Sequence, residues 1–201
     1  MTTEQSDVEQ ADENWLLLMD PAWQPSEENE APPLHAVVGL WPVEEDGAVG
    51  RFRANPDYRP VDADSPSDPI DAGLRLVLRG DAEIGQVQAL LRDSLVDVAM
   101  NGDGRPLVLK SPDEIPCVVV CTSEPHRARM FAPDWRRTDL AEVVALLADG
   151  VDALINPGGP ASVRLSGDFL RETVNLSEEE ARQLLKTEVD PGELRMDTWA
   201  G

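Results

Sequence analysis

The sequence predicts an α+β fold, with a small N-terminal antiparallel sheet module followed by a mixed-sheet α/β domain with flanking helices. Short apolar runs bounded by turn residues, such as 117–121, indicate buried strands. Apolar residues at helical spacing, such as those in 140–147, indicate amphipathic helices. The apolar period also changes from helical to strand-like after residue 91, so both kinds of element occur in one domain.

The first predicted unit is the N-terminal β module, residues 14–67. It follows a polar, acidic and aperiodic stretch, 1–13, which we expect to be a disordered leader. Apolar runs at 15–19 and 36–41 predict two strands on either side of a Pro- and Glu-rich loop, and a turn signal at 45–47 predicts a third strand at 49–54. We expect most of the early aromatic side chains to pack in this module. They are Trp15, Trp23, Trp41, Phe52 and Tyr58.

The second predicted unit spans residues 68–175 and opens with two helices. Asp68 is an N-cap followed by proline at the first helical position, and Gly80 ends the first helix. The second helix carries Ile84, Val87, Leu90 and Leu91. Strands are predicted at 95–100, 107–109, 117–121, 153–155 and 162–165.

Three further helical segments complete this unit, and a C-terminal extension follows it. A short helix or turn is predicted at 125–131, a helix at 138–148 capped by Thr138 and ended by Gly150, and a helix at 168–174. The remaining residues, 176–201, form an acidic helix and tail. Ser177 opens a capping box there, ahead of a helix at 181–187, and Trp199 either docks on the body or anchors a partner, with docking or disorder favoured.

The charge of the chain excludes the simplest nucleic-acid function. It has 17 Lys and Arg against 39 Asp and Glu, a net charge of −22, and phosphate binding depends on basic residues. The same charge argues against binding to an anionic membrane surface. Twelve of the acids lie in residues 1–50, which contain no Lys or Arg, whereas residues 51–175 have a net charge of only −6. The excess acid therefore belongs mainly to the ends of the chain.

The compartment and cofactor expectations follow from what the sequence lacks. No secretory signal and no apolar run of roughly 20 residues is visible, so we expect a cytoplasmic protein without membrane insertion. Cys117 and Cys121 lie on one face of a predicted strand, roughly 13 Å apart and too far for a disulfide. No His or further Cys has ligand spacing, so core cysteines are favoured over a metal or redox pair. We expect no cofactor and no metal.

Two motifs raise the question of small-molecule chemistry. Ser123, His126 and Asp134 could form a Ser/His/Asp group, but such triads are assembled from distant segments and no nucleophile elbow accompanies the serine, so a polar strand end is favoured. The turn 156–160 could hold an anion through backbone N–H groups at Asn156, Gly158 and Gly159. It lacks the Lys and Ser or Thr of a P-loop, so a strand-to-strand turn is favoured.

The arginine-rich segment, residues 127–137, is the predicted partner-binding surface. Four arginines in eleven residues invert the local sign of an acidic chain, and Arg and Trp are frequent at interface hot spots. The residues are Arg127, Arg129, Phe131, Trp135, Arg136 and Arg137. The segment could equally receive an acidic end of the same chain, and the two possibilities do not exclude each other.

Several short motifs in order resemble an actinobacterial family, the type VII secretion system-associated proteins. They are the stretches 14–23, 37–41, 55–60 and 68–71. The second half is similar to the SseB N-terminal domain of that family, through the strand 118–122 with Ser123, Phe131, the helix 140–147 and the stretch 154–160. The resemblance spans roughly residues 14–175 and implies an α+β domain associated with secretion components. It implies no catalytic residue.

Three functions remain open from the sequence. The leading hypothesis is a non-catalytic accessory or adaptor protein of a type VII secretion system, which binds a secretion component or substrate. The alternative is an immunity or antitoxin-like protein that neutralises a basic toxin by charge complementarity. A small-molecule sensor or enzyme that uses the turn at 156–160 is the second alternative.

Overall fold

A computed structural model describes residues 14–20, 33–43, 52–61, 65–185 and 198–200 of the chain. The predicted leader, the turn at 45–47 and most of the loop 24–33 lie outside the described residues. The strands are β1 (Asn14–Met19), β2 (Val37–Val43), β3 (Arg53–Ala54), β4 (Val96–Met100), β5 (Val108–Lys110), β6 (Pro116–Cys121), β7 (Asp134–Thr138), β8 (Asp152–Ile155), β9 (Val163–Leu165) and β10 (Thr198–Ala200). The α-helices are α1 (Pro69–Arg79), α2 (Ile84–Asp93), α3 (Glu124–Arg127), α4 (Leu140–Leu146), α5 (Gly167–Asn175) and α6 (Glu178–Leu185).

The N-terminal strands form a small antiparallel sheet in the order β10-β1-β2-β3. Successive side chains in these strands point to opposite faces of the sheet, and both faces carry apolar residues. Leu18, Val38 and Trp41 lie in the main hydrophobic core, whereas Leu17 and Val37 belong to a smaller separate cluster. The predicted strands at 15–19 and 36–41 are confirmed, and of the predicted strand 49–54 the described part is β3.

The larger sheet is mixed and has the order β7-β4-β6-β8-β9, with β5 also paired to β6. β4 lies along the C-terminal part of β6 and β5 along its N-terminal part, both antiparallel. β8 is parallel to β6, whereas β7 and β9 are antiparallel to their neighbours. The predicted α+β class with a mixed sheet is therefore confirmed. Because β6 and β8 are parallel, their carboxyl ends meet at one edge of the sheet.

One hydrophobic core joins the two sheets and the helices. It contains Trp41 and Phe52 from the small sheet, in an edge-to-face contact with ring centroids 4.7 Å apart. The same cluster contains Ile70 and Leu74 of α1 and Val120 of β6. Helix α2 packs against α1, α5 and α6, and α4 packs against α5. In the described part of the chain, no helix has the length and apolar character needed to cross a membrane.

Two strands were missed by the sequence analysis. Residues 134–138 form β7, so Thr138 ends a strand and does not cap a helix; α4 begins at Leu140 with Asp139 as its cap and ends at Leu146. The reason is that β7 has three charged residues in five and no alternating apolar pattern, as is common for strands at a sheet edge. The second is β10, whose backbone pairs with β1, so residues 198–200 dock on the body.

Candidate functional site

Polar residues next to three elements meet where β6 and β8 end. Thr122 and Ser123 follow β6, Asn156 follows β8, and the N-terminus of α1 lies beside them with its cap Asp68. Backbone geometry alone brings the strand ends together, and hydrogen bonds then join their side chains. Thr122 N–H donates to Asn156 Oδ1, and Asn156 Nδ2 donates to Thr122 Oγ1, both at 2.9 Å. These two hydrogen bonds hold the strand ends together.

Asp68 links the first helix to this edge of the sheet. Its Oδ1 accepts from the backbone N–H groups of Ile70 and Asp71, at 3.0 Å each, as an N-cap does. Its Oδ2 accepts from Thr122 Oγ1 at 2.6 Å and from Ser67 Oγ at 3.0 Å. The carboxylate is therefore occupied by four donors, and its role is structural.

A buried ionic group lies behind that cap. Asp71 is fully buried, and its Oδ2 contacts Arg75 Nη2 at 2.8 Å, the Ser67 N–H at 3.0 Å and His126 Nε2 at 3.5 Å. Burial opposes ionisation of this carboxyl, but the His126 ring, Arg75 and the Ser67 N–H together lower its pKa to about 2. The side chain is therefore a carboxylate at every ordinary pH.

The turn at 156–160 packs and forms hydrogen bonds within the protein. Asn156 is completely buried, and its backbone has a φ of +49°, which asparagine tolerates better than most residues. Gly158 also has a positive φ of +74°. A Cβ at Gly159 would lie 3.0 Å from the His126 ring, so glycine permits the ring to pack there. The loop connects the antiparallel strands β8 and β9, and its asparagine holds Thr122 rather than facing a ligand.

The structure divides the arginine-rich segment into two groups. Arg137 lies opposite Asp97 of β4 in the strand register, and Arg137 Nη1 lies 3.2 Å from Asp97 Oδ2. Arg127 Nε lies 3.6 Å from the same oxygen, and Asp97 is only 2% exposed. Arg136 is adjacent on β7 and points to the opposite side of the sheet, because successive residues on a strand alternate. Arg136 is exposed and has no ion-pair partner within the described ranges.

The other members of the segment differ in exposure. Phe131 is 88% exposed, Trp135 is half-buried on β7, and Arg129 is exposed with Nη1 donating to the Gly158 carbonyl at 3.3 Å. Arg129, Phe131 and Arg136 are the exposed members that make no contact with Asp97, and we call them the exposed trio. Arg127 and Arg137 form a separate pair around Asp97.

Ser123, His126 and Asp134 are not brought together. The Ser123 hydroxyl shares a hydrogen bond of 2.9 Å with Ser67, and His126 faces Asp71. Asp134 lies opposite Met100, three residues along β7 from Arg137 and so roughly 10 Å from the end where Asp97 lies. The geometry of a Ser/His/Asp triad is absent from these described residues.

The cysteines are buried side chains of β6. Both are free and 0% exposed, and burial raises the pKa of Cys121 to about 12. Core cysteines are what the sequence favoured, and a thiol with so high a pKa is a poor nucleophile. Over the described ranges, no three His, Cys, Asp or Glu side chains are grouped to hold a metal ion.

Asp97 and Asp71 are the residues of this region that the sequence analysis missed. Each is an acid among apolar residues of a predicted strand or helix, and this is a usable signal, because a buried carboxylate needs partners. The signal does not say which partners. Those of Asp97 lie 30 and 40 residues away and those of Asp71 include His126, so only the folded chain reveals them.

Comparison of the chain with protein-family models, curated proteins and solved structures finds no match.

Proposed function

We propose that this protein is a non-catalytic, cytoplasmic accessory or adaptor protein of a type VII secretion system, which acts by binding another protein. The association with secretion is taken from the sequence motifs at 14–23, 37–41, 55–60 and 68–71. The binding surface is the exposed trio, Arg129, Phe131 and Arg136.

The exposure of Phe131 is the observation that carries this proposal. A phenylalanine side chain that is 88% exposed leaves a large apolar surface in water. Among the large apolar side chains described, the next most exposed is Leu34 at 71%. Transfer of that ring to a partner's apolar recess stabilises a complex by about 2 kcal/mol. Exposed aromatic residues flanked by arginine are typical of interface centres.

Two arginines near Phe131 in the sequence indicate the kind of partner. Arg129 and Arg136 lie two and five residues from it and are both exposed. Arg136 has no salt bridge to any described residue, so its charge is available to a partner's carboxylate. We therefore expect a partner surface that combines an apolar recess with acidic groups. Acids elsewhere on the chain repel an acidic partner, but screening at physiological salt limits this repulsion to roughly 8 Å.

The test is capture from the native host with matched variants. The test variant changes two residues of the exposed trio, Phe131→Asp and Arg136→Glu. The control variant changes an equivalent apolar and basic pair on the exposed side of α1, Leu78→Asp and Arg79→Glu. Wild type and the α1 variant should capture the same secretion component or substrate, and the Phe131 variant should not. With the purified partner, the Phe131 variant should bind about thirtyfold more weakly or worse.

Two results would contradict this proposal. Equal capture of that partner by the Phe131 variant would exclude the exposed trio as the surface. Capture of a basic toxin, with no loss when Arg136 becomes glutamate, would instead support the immunity function, because a basic partner is attracted by the acids of the chain rather than by its arginines.

A further inference from the structure

A cavity of about 490 Å³ opens at the sheet edge where the candidate site lies. It is bounded by the end of β6, the end of β7, the loop between α2 and β4, the start of α1 and the strand β3. This volume is in the range of small-molecule sites, and the carboxyl end of a parallel strand is a common place for them. None of the exposed trio lines the cavity.

Arg127 and Arg137 provide the positive side of the cavity. Both guanidinium groups lie on one oxygen of a single carboxylate, Asp97 Oδ2, at 3.6 and 3.2 Å. Each guanidinium has five N–H donors, so most of the ten remain unused by Asp97. Arg127 Nε is buried and has no hydrogen-bond partner among the described residues. The two arginines carry one more charge than the Asp97 that they share, and most of their donors are unused by it. Three further acids, Asp68, Asp93 and Glu124, also line the cavity.

Much of the remaining lining is apolar or already hydrogen-bonded. Phe52, Ile70 and Leu95 supply apolar surface, and Leu95 is 53% exposed at the opening. The N-terminus of α1 also lines the cavity, but Asp68 already accepts its first N–H groups, so the helix end is not the anion site. The Ser123 hydroxyl is held by Ser67, and this fixes the wall before any ligand arrives.

One acidic side chain of the lining is exposed and makes no ion pair with a described residue. Glu124 stands three residues before Arg127 on α3, hence on the same side of that short helix. Its charge opposes an anion bound by the arginines. Removal of that charge should therefore strengthen anion binding, whereas substitution of Arg127 or Arg137 should weaken it.

We propose that this cavity binds a small molecule through an oxyanion, a carboxylate or a phosphate, that Arg127 and Arg137 hold by charge-assisted hydrogen bonds. Planar guanidinium groups match both kinds of oxyanion. Phe52, Ile70 and Leu95 contact the apolar part of the molecule. This site is separate from the proposed partner surface, because none of the exposed trio lines the cavity.

The experiment is calorimetric titration of the full chain with benzoate, phenyl phosphate and inorganic phosphate at constant ionic strength. We expect saturable binding of benzoate or phenyl phosphate; the stronger of the two identifies the carboxylate or the phosphate as the group recognised. Inorganic phosphate distinguishes the contribution of the oxyanion from that of the apolar walls. Arg127→Met and Arg137→Met should each weaken binding about tenfold to a hundredfold.

Three variants separate loss of the site from loss of the fold. Arg136→Met, the neighbour on the opposite side of β7, should leave affinity unchanged, and Glu124→Gln should increase it. Leu95→Trp fills the opening without removing charge and should abolish binding while thermal unfolding stays as in wild type. Absence of saturable binding by all three probes to wild type, or equal affinities of wild type, Arg127→Met and Arg137→Met, would overturn the proposal. Loss of partner capture by the Phe131→Asp and Arg136→Glu double variant would leave these results unaffected.

Discussion

Asp97 determines how the arginine-rich segment is arranged. A buried carboxylate needs positive partners, and it takes Arg127 from α3 and Arg137 from the edge strand β7. Strand alternation then places Arg136 on the other side of the sheet. The sequence predicts one surface from six neighbouring residues, whereas the structure separates them into the Asp97 pair, the exposed trio and the half-buried Trp135. Whether the trio binds a partner stays a prediction.

Asp71 shows how burial and hydrogen bonding compete at a single carboxyl. Burial favours its neutral form, but Arg75, the Ser67 N–H and His126 favour the charge more strongly. Its pKa is therefore lower in the folded than in the unfolded chain, where the usual value of 3.8 applies. A depressed folded pKa contributes stability that is complete above the unfolded value and is lost as pH falls through the folded value.

The first prediction concerns the contribution of Asp71 to the free energy of unfolding at acid pH. The free energy of unfolding of wild type should exceed that of Asp71→Asn at pH 5, and the difference should shrink by about 2 kcal/mol as pH falls from about 4 to about 2. The measurement is urea unfolding of both proteins across that range. Other carboxyls titrate in both proteins and cancel in the difference. A constant difference down to pH 2 would contradict the prediction.

At the scale of elements, local signals were reliable where a helix has its own caps. Asp68, Pro69 and Gly80 bound α1 as predicted, and Gly80 has the left-handed φ of +82° of a helix end. Ser177 and Glu180 form the predicted capping box, with Glu180 N–H donating to Ser177 Oγ at 3.2 Å, although α6 begins at Glu178 and extends to Leu185. Such bonds join residues a few positions apart, so the sequence reveals them.

The second prediction compares two helix caps. Asp139 caps α4 with one hydrogen bond, to the Glu142 N–H, and is exposed, whereas Asp68 accepts four hydrogen bonds between α1, Ser67 and β6. Asp139→Ala should lower the free energy of unfolding by about 1 kcal/mol and Asp68→Ala by about 2 to 3 kcal/mol. Urea unfolding at neutral pH measures both. Equal losses would show that the bonds of Asp68 to Thr122 and Ser67 contribute nothing.

At the scale of the whole molecule, the two sheets share one core. Trp41 and Phe52 of the small sheet belong to the same buried cluster as Ile70 and Leu74 of α1. Tyr58, in the segment after β3, donates from its hydroxyl to Asp20 Oδ2 at 2.9 Å and is itself buried. The sequence placed a boundary between residues 67 and 68, and that boundary stays a prediction.

The third prediction tests that boundary. A fragment that begins at residue 68 should lack the stable fold of the full chain, because its α1 would expose apolar surface that Trp41, Phe52 and Val38 cover. The full chain should unfold in a single transition, with tryptophan fluorescence and far-ultraviolet circular dichroism coincident in urea. A fragment with the thermal stability of the full chain, or two separate transitions, would mean that the β module and the following unit are independent.

The α+β class, the caps of α1 and the buried cysteine strand β6 are properties that the sequence determined by itself. Their causes are short-range: a side chain caps a nearby N–H group, and an apolar β-branched run favours a strand wherever it is placed. Tertiary structure alone decided that the charged segment 134–138 becomes an edge strand and that residues 198–200 join the small sheet. It also brought Arg127 and Arg137 to Asp97 and His126 to Asp71. The contacts of Asp97 and Asp71 join residues 30 to 55 positions apart. A local sequence pattern carries no information over that separation, because the packing of the whole core selects the partner.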